Sequence, residues 1–139
     1  MDTMRTTPRP VRTLAALAVG VLRCGVGPAK AERRTREALS QRDARRVLSL
    51  GTCGGLARDL VLGQVVTAHG LMEDTRPVRA PTPFGSWSEQ VCATVVAPVE
   101  RREDRERLVA AGAGICEMEA AAVARAAGER PFSVLKVVS

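Results

Sequence analysis

Short apolar runs alternate with charged stretches along the chain, and this alternation limits the folds that are open to it. Apolar runs of ~4–8 residues between turn residues are typical of buried strands, and longer stretches rich in Ala, Glu and Arg favour helices. Strands that alternate with helices predict an α/β fold, in which helices flank a twisted mixed or parallel sheet. The predicted strands are 14–24, 46–50, 60–68, 91–97 and 132–138, and the predicted helices are 28–41, 100–111 and 118–128.

Two segments are predicted to be loops because of their glycine and proline content. Segment 51–55 (GTCGG) holds three glycines directly after a predicted strand. Segment 70–90 carries Pro77, Pro81, Pro83 and Gly85, and long ordered loops of this kind are often functional.

The length of 139 residues, 45% of them apolar and 26% charged, predicts one globular domain. We expect a loose N-terminal segment at 1–13 and a single domain at 14–139. The apolar run 14–22, with arginines before it, resembles a secretory signal peptide, but the same run also fits a buried strand. Since the sequence offers no run of ~20 apolar residues, we expect no membrane association. The scattered cysteines indicate reduced thiols in an intracellular protein, and we expect a cytoplasmic location.

The net charge of +6 is partly local, because seven basic and three acidic residues lie in 30–46. A solvated basic helix and a phosphate-binding or nucleic-acid face both fit this pattern. Aromatic residues are only 2% of the chain, which leaves few side chains on which bases could stack. We therefore expect no nucleic-acid partner.

The four cysteines, Cys24, Cys53, Cys92 and Cys116, are far apart and lack the spacing of metal ligands. His69 is the only histidine. We expect reduced and mostly buried thiols, no metal and no cofactor.

Two segments carry candidate chemistry at predicted strand ends, where ligands bind in open α/β sheets. In 51–55, glycine N–H groups and the Thr52 hydroxyl could meet an anion or a sugar, although a tight turn without a ligand also fits. In 117–119 (EME), two carboxylates precede an Ala-rich helix. Helix capping explains them, and so does binding of a vicinal diol by a carboxylate.

Five segments in this order resemble the nucleoside phosphorylase and nucleosidase superfamily. That family includes purine nucleoside and uridine phosphorylases, methylthioadenosine/S-adenosylhomocysteine nucleosidases and a branch associated with hopanoid biosynthesis. The resemblance begins near residue 14 and continues to the end of the chain. The segments are 25–30 (GVGPAK), 50–56 (LGTCGGL), 62–66 (LGQVV), 116–123 (CEMEAAAV) and 134–139 (VLKVVS).

The resemblance implies cleavage of the N-glycosidic bond of a purine-type nucleoside. It implies that Glu119 binds the ribose hydroxyls, that Met118 packs against the sugar, and that Gly51 and Thr52 face phosphate or water. The full set of substrate-binding residues that it implies is Thr52, Cys53, Gly54, Glu117, Met118 and Glu119. It also implies a homo-oligomer, with phosphate as a candidate second substrate.

Three departures from the family pattern bear on activity. The family usually has a general-acid Asp directly after the segment that here ends at Ser139, and a first strand with a water-activating Glu before residue 14. It also commonly has, in phosphorylases, an Arg at the position of Ser49, and this difference slightly favours hydrolysis over phosphorolysis. We expect little or no cleavage by the 139-residue chain. The alternative is a catalytically inactive remnant that only binds nucleoside or a partner subunit.

Overall fold

The structure, a computed structural model, describes the backbone of residues 12–14 and all of residues 19–139. Its elements in chain order are β1 (Arg12–Leu14), β2 (Val19–Val21), α1 (Pro28–Gln41), β3 (Val47–Gly55), β4 (Val65–Glu73), β5 (Arg76–Pro77), β6 (Ser88–Thr94), α2 (Arg102–Ala110), β7 (Ile115–Glu117), α3 (Ala120–Ala127) and β8 (Phe132–Val138).

The main sheet has six strands in the order β5-β4-β6-β7-β3-β8, and β8 also pairs with β4, so that the sheet closes on itself. The pairs β3–β8, β4–β6 and β6–β7 are parallel, whereas β3–β7, β4–β8 and β4–β5 are antiparallel. The predicted α/β class with a mixed sheet is therefore confirmed.

The helices pack against the sheet and form two hydrophobic clusters with it. In the larger cluster, α3 packs between α1 and the sheet, and every residue of α3 except Arg125 is buried. Six of the eight residues of α3 are alanines, whose small side chains let α1 and the strands approach closely. In the second cluster, Leu108 of α2 is fully buried and packs with Leu56, Met72 and Ala93.

The three predicted helices and the last predicted strand agree best with the structure. The strand at 132–138 and the helix at 28–41 have the predicted bounds. The helices at 100–111 and 118–128 begin and end within two residues of their predicted bounds. Pro28 stands in the first turn of α1, where its missing N–H costs no hydrogen bond.

The predicted buried strand at 14–24 is wrong for the residues that the structure describes, and residues 15–18 lie outside them. Strands β1 and β2 pair with each other in a separate antiparallel sheet, with Arg12 opposite Val21. The side chains of Val19 and Val21 are 44% and 48% exposed. Pairing between β1 and β2 satisfies backbone hydrogen-bonding groups of both strands, and β2 does not join the main sheet.

The predicted loop at 51–55 is also wrong, because β3 continues through Gly55. Parallel pairing with β8 extends to Cys53, and antiparallel pairing with β7 begins at Gly54. The glycine at 54 provides room rather than a turn: a Cβ there would lie 3.1 Å from the Cys116 sulfur. Tertiary pairing thus overrides the low strand propensity of glycine.

Three further boundaries are displaced. The strand predicted at 60–68 begins only at Val65, after a turn in which Gly63 has a φ of 83°. The long loop predicted at 70–90 is shorter, since β4 runs to Glu73, β5 follows, and β6 begins at Ser88. The strand predicted at 91–97 accordingly starts and ends three residues earlier.

Candidate functional site

Glu117, the last residue of β7, is held by hydrogen bonds at both carboxylate oxygens. Its Oε1 accepts the hydroxyl of Thr94 at 2.6 Å, the thiol of Cys92 at 3.6 Å and the N–H of Ala120 at 3.0 Å. Its Oε2 accepts the N–H of Glu119 at 2.7 Å and that of Ala120 at 2.9 Å. The carboxylate therefore caps the first turn of α3, where the helix dipole favours negative charge.

The charge of Glu117 is balanced by Lys136 of β8. The Lys136 ammonium lies 3.4 Å from Glu117 Oε2 and donates to the Ser49 hydroxyl at 3.3 Å. The two ionic side chains are only 2% and 1% exposed. A Cβ at Gly51 would lie 3.4 Å from the ammonium, so the glycine leaves room for it. The result is a buried ion pair between two strands of the main sheet.

Thr94 links this pair to α3. Its hydroxyl donates to Glu117 and accepts the N–H of Ala121 at 2.9 Å. In the described part of the chain, every buried side-chain nitrogen or oxygen has a hydrogen-bond partner.

Glu119 follows Glu117 by two residues and has a different environment. It is half-buried, and its two oxygens each accept one backbone N–H: Oε1 from Gly27 at 3.2 Å and Oε2 from Met118 at 3.3 Å. A carboxylate has about four lone-pair sites, so each Glu119 oxygen can accept another hydrogen bond. The bond from Gly27 joins the site to the segment before α1.

The two carboxylates are shifted in opposite directions. Burial would raise the pKa of Glu117, but the Lys136 charge and the hydrogen bonds from Thr94, Glu119 and Ala120 lower it below its ordinary value. Burial raises the pKa of Glu119; the N–H of Gly27 opposes this shift, and the charge of Glu117 adds to it. Paired groups whose environments separate their pKa values are typical of functional sites.

The structure brings only some of the predicted site residues together. Glu117 and Glu119 are hydrogen-bonded, and Gly54 pairs with Cys116, the residue before Glu117. Met118 is half-buried and packs against the second hydrophobic cluster. The placement of Met118, Glu119 and Thr52 around one pocket stays a prediction.

The predicted residues on β3 lie on two faces of the sheet. Gly51 faces Lys136, and the buried side chain of Cys53 belongs to the larger hydrophobic cluster. Burial raises the pKa of the Cys53 thiol to about 11, so the thiol stays protonated. Thr52 lies between these two residues in the strand, so its side chain points to the opposite face, and it is exposed.

Sequence reasoning missed Lys136, Thr94 and Gly27 as parts of this site. Lys136 carried a usable signal, because it is the only charged residue in the apolar strand 132–138. A buried charge needs a partner of opposite sign. Thr94 and Gly27 carried no such signal, since their roles depend on tertiary contacts.

Within residues 12–14 and 19–139, no three His, Cys, Asp or Glu side chains are grouped so as to hold a metal ion. In the same residues, no helix has the length and apolar character needed to cross a membrane.

Comparison with solved structures shows a shared fold. Futalosine hydrolase of Helicobacter pylori superposes with a TM-score of 0.72 at 22% identity, over 84% of this chain and 66% of that one. S-adenosylhomocysteine nucleosidase from Streptococcus pyogenes gives 0.72 at 21% identity, over 84% and 63%. Campylobacter jejuni 5'-methylthioadenosine/S-adenosyl homocysteine nucleosidase gives 0.72 at 16% identity, over 84% and 65%. The chain thus spans about two thirds of their length.

Sequence comparison identifies the family. Comparison with curated protein sequences gave no match. The sequence profile of the phosphorylase superfamily matches residues 11–99, which is more than half of the chain. This match agrees with the resemblance that the sequence segments indicate, and the chain belongs to the phosphorylase superfamily.

Proposed function

We propose that this protein binds a purine-type nucleoside through Glu119 and acts in cleavage of the N-glycosidic bond. The observation that carries the proposal is the half-buried Glu119 carboxylate, whose two oxygens each keep capacity for one more hydrogen bond. A ribose diol offers two adjacent hydroxyl donors, which match two adjacent acceptors. Glu117 cannot play this part, since its oxygens are already occupied and its side chain is 1% exposed.

A carboxylate at the sugar also suits the chemistry of the proposed reaction. Glycoside cleavage passes through an oxocarbenium-like transition state, in which positive charge develops on the ribose ring. A fixed negative charge close to the ring stabilises that state more than the neutral ground state. Glu119 would therefore contribute to catalysis as well as to binding.

Hydrolysis is proposed in preference to phosphorolysis. Phosphorylases of the resembling family commonly carry an Arg at the position of Ser49. Here Ser49 is buried and its hydroxyl accepts from Lys136, which is itself paired with Glu117. Neither residue offers a free cation to phosphate.

Purine specificity, a homo-oligomeric state and a cytoplasmic location belong to the same proposal. They rest on the family resemblance and on the nucleosidases among the structural relatives. Uridine binding equal to that of adenosine would contradict purine specificity.

Calorimetric titration of the purified protein with adenosine, inosine and 2',3'-dideoxyadenosine tests the proposed binding site. We expect the dideoxy compound to bind at least about tenfold more weakly, because each hydrogen bond to a charged group contributes roughly 1.5–3 kcal/mol. Glu119→Gln should weaken adenosine binding by a similar factor, and Glu129→Gln, at an exposed position after α3, should not. Equal binding of adenosine and its dideoxy analogue would overturn the role of Glu119.

Release of free base, with and without phosphate, tests the reaction. Base release that does not depend on phosphate supports hydrolysis, and release that requires phosphate supports phosphorolysis. Binding without any release supports the alternative of a protein that binds nucleoside and has no catalytic activity.

A further inference from the structure

One oxygen atom connects a buried lysine to the backbone of the proposed ribose-binding residue. Glu117 Oε2 lies 3.4 Å from the Lys136 ammonium and accepts the N–H groups of Glu119 and Ala120 at 2.7 and 2.9 Å. Movement of this oxygen would therefore move the start of α3 and, with it, the Glu119 carboxylate.

We propose that Lys136 is a positioning residue: through Glu117 it holds the backbone at Glu119 so that the Glu119 carboxylate is aimed at the ribose diol. The inference rests on the proposed function. Lys136 itself does not touch the nucleoside in this proposal, because its side chain is 2% exposed and already has Ser49 and Glu117 as partners.

Stability alone does not account for this pair. Removing two charges from water is costly, so a buried ion pair is often no more stable than apolar residues of the same volume. The main sheet nevertheless accommodates the Lys136–Glu117 pair, because Gly51 leaves room for the ammonium and the Ser49 hydroxyl accepts a hydrogen bond from it. Both features are explained if the position of the charge matters for the neighbouring site.

The same charge acts on the ionisation of Glu119. The groups facing Glu119 are Glu117 from β7, Lys136 from β8, and Cys24 and the Gly27 N–H from the segment before α1. Burial raises the pKa of Glu119 and Glu117 raises it further, whereas the Gly27 N–H and Lys136 lower it. Loss of the lysine charge should therefore make Glu119 titrate at a higher pH.

Two measurements on the full chain test the proposal: the ratio of dissociation constants for 2',3'-dideoxyadenosine and adenosine, and the carboxyl ¹³C NMR titration of Glu119, assigned by its absence in Glu119→Gln. We expect Lys136→Met to reduce the ratio about tenfold, since a misplaced carboxylate loses hydrogen bonds to the diol. We also expect Glu119 to titrate at higher pH in this variant. Lys136→Arg should restore both values, and Lys30→Met, at an exposed position on α1, should change neither.

A well-folded Lys136→Met variant with the wild-type ratio would overturn the proposal. If this variant does not fold, the double variant Glu117→Gln/Lys136→Met replaces it, since it leaves no unpaired buried charge. The double variant should also lose the preference for adenosine, and an unchanged preference would overturn the proposal.

The two proposals fail in distinguishable ways. If the wild-type protein does not distinguish adenosine from its dideoxy analogue, the proposed function fails. If the wild-type protein does distinguish them and a folded Lys136→Met variant keeps the wild-type ratio, the proposed function stands and the positioning role of Lys136 fails.

Discussion

Glu117 and Glu119 are two residues apart in the chain, yet the fold gives them opposite properties. Glu117 is buried, accepts hydrogen bonds at both oxygens and pairs with Lys136, and its pKa is lowered. Glu119 is half-buried, accepts only two backbone N–H groups, and its pKa is raised. The number of donors that the fold supplies, rather than residue type, separates a structural carboxylate from one that can bind a ligand.

Glu117→Ala should have the largest effect, and it tests whether Glu117 is the structural member of the two carboxylates. This change leaves the Lys136 ammonium buried without its counter-ion, and removing one partner of a buried pair costs about 3–5 kcal/mol. Urea denaturation followed by circular dichroism should show this loss in unfolding free energy. Glu129→Ala, an exposed control, should change it by less than about 0.5 kcal/mol. A loss below about 1 kcal/mol for Glu117→Ala would show that Lys136 does not remain a buried, uncompensated charge in this variant.

Thr94→Val should have a smaller effect on the same region. The substitution keeps the side-chain shape but removes the donor to Glu117 and the acceptor of the Ala121 N–H. Glu117 Oε1 keeps Cys92 and Ala120 as donors, so only the Ala121 N–H is left unpaired. One unpaired buried group costs about 1–3 kcal/mol, and this is the expected decrease in unfolding free energy. Thr82→Val, at an exposed position in the loop before β6, provides the control. Equal stability of the two variants would contradict the importance of the Thr94 hydroxyl.

The opposite pKa shifts predict opposite pH dependences. Because the pKa of Glu117 is lowered by folding, its stabilising contribution is complete above the ordinary value of 4.5 and is lost as the pH falls through the lower folded value. Because the pKa of Glu119 is raised, the folded protein loses stability as the pH rises from 4.5 through the higher folded value.

The stability of Glu119→Gln relative to the wild type should therefore increase between pH 4.5 and neutral pH, by less than about 1 kcal/mol because solvent screens this half-exposed group. Unfolding free energies measured at neutral pH and near 4.5 for both proteins provide the test. A relative stability that falls over this pH range would show that folding lowers the pKa of Glu119 instead.

The sequence predicted those elements whose formation depends on local signals. Pro28 marks the start of α1, and the apolar run 132–138 is a strand with the predicted bounds. The predicted end of β3 at residue 50 was wrong. Gly51 and Gly54 indicate a turn when only the local sequence is considered, but in the fold they leave room for Lys136 and Cys116. Neither contact partner is near in the sequence.

The candidate site was predicted in the same uneven way. The segment 117–119 was predicted to carry chemistry, and the proposed diol-binding role of Glu119 rests on the family resemblance. The sequence could not predict that both carboxylate oxygens of Glu117 are occupied by donors, since these donors come from β6, β8 and α3. Periodicity predicts which side chains face the core, but not how many hydrogen bonds a buried carboxylate receives.

The smallest effect is expected for the solvent-exposed ion pairs of Arg125, whose contribution to stability can be compared with that of the buried pair. Arg125 of α3 forms ion pairs with Glu32 of α1 and Glu73 of β4, and its side chain is 40% exposed. Exposed pairs contribute about 0.2–1 kcal/mol because water and salt screen them. Arg125→Met, which keeps most of the aliphatic stem, should therefore lower the unfolding free energy by less than about 1 kcal/mol. High salt should reduce this difference but should not reduce the effect of Glu117→Ala, and the reverse result would contradict the contrast between buried and exposed charges.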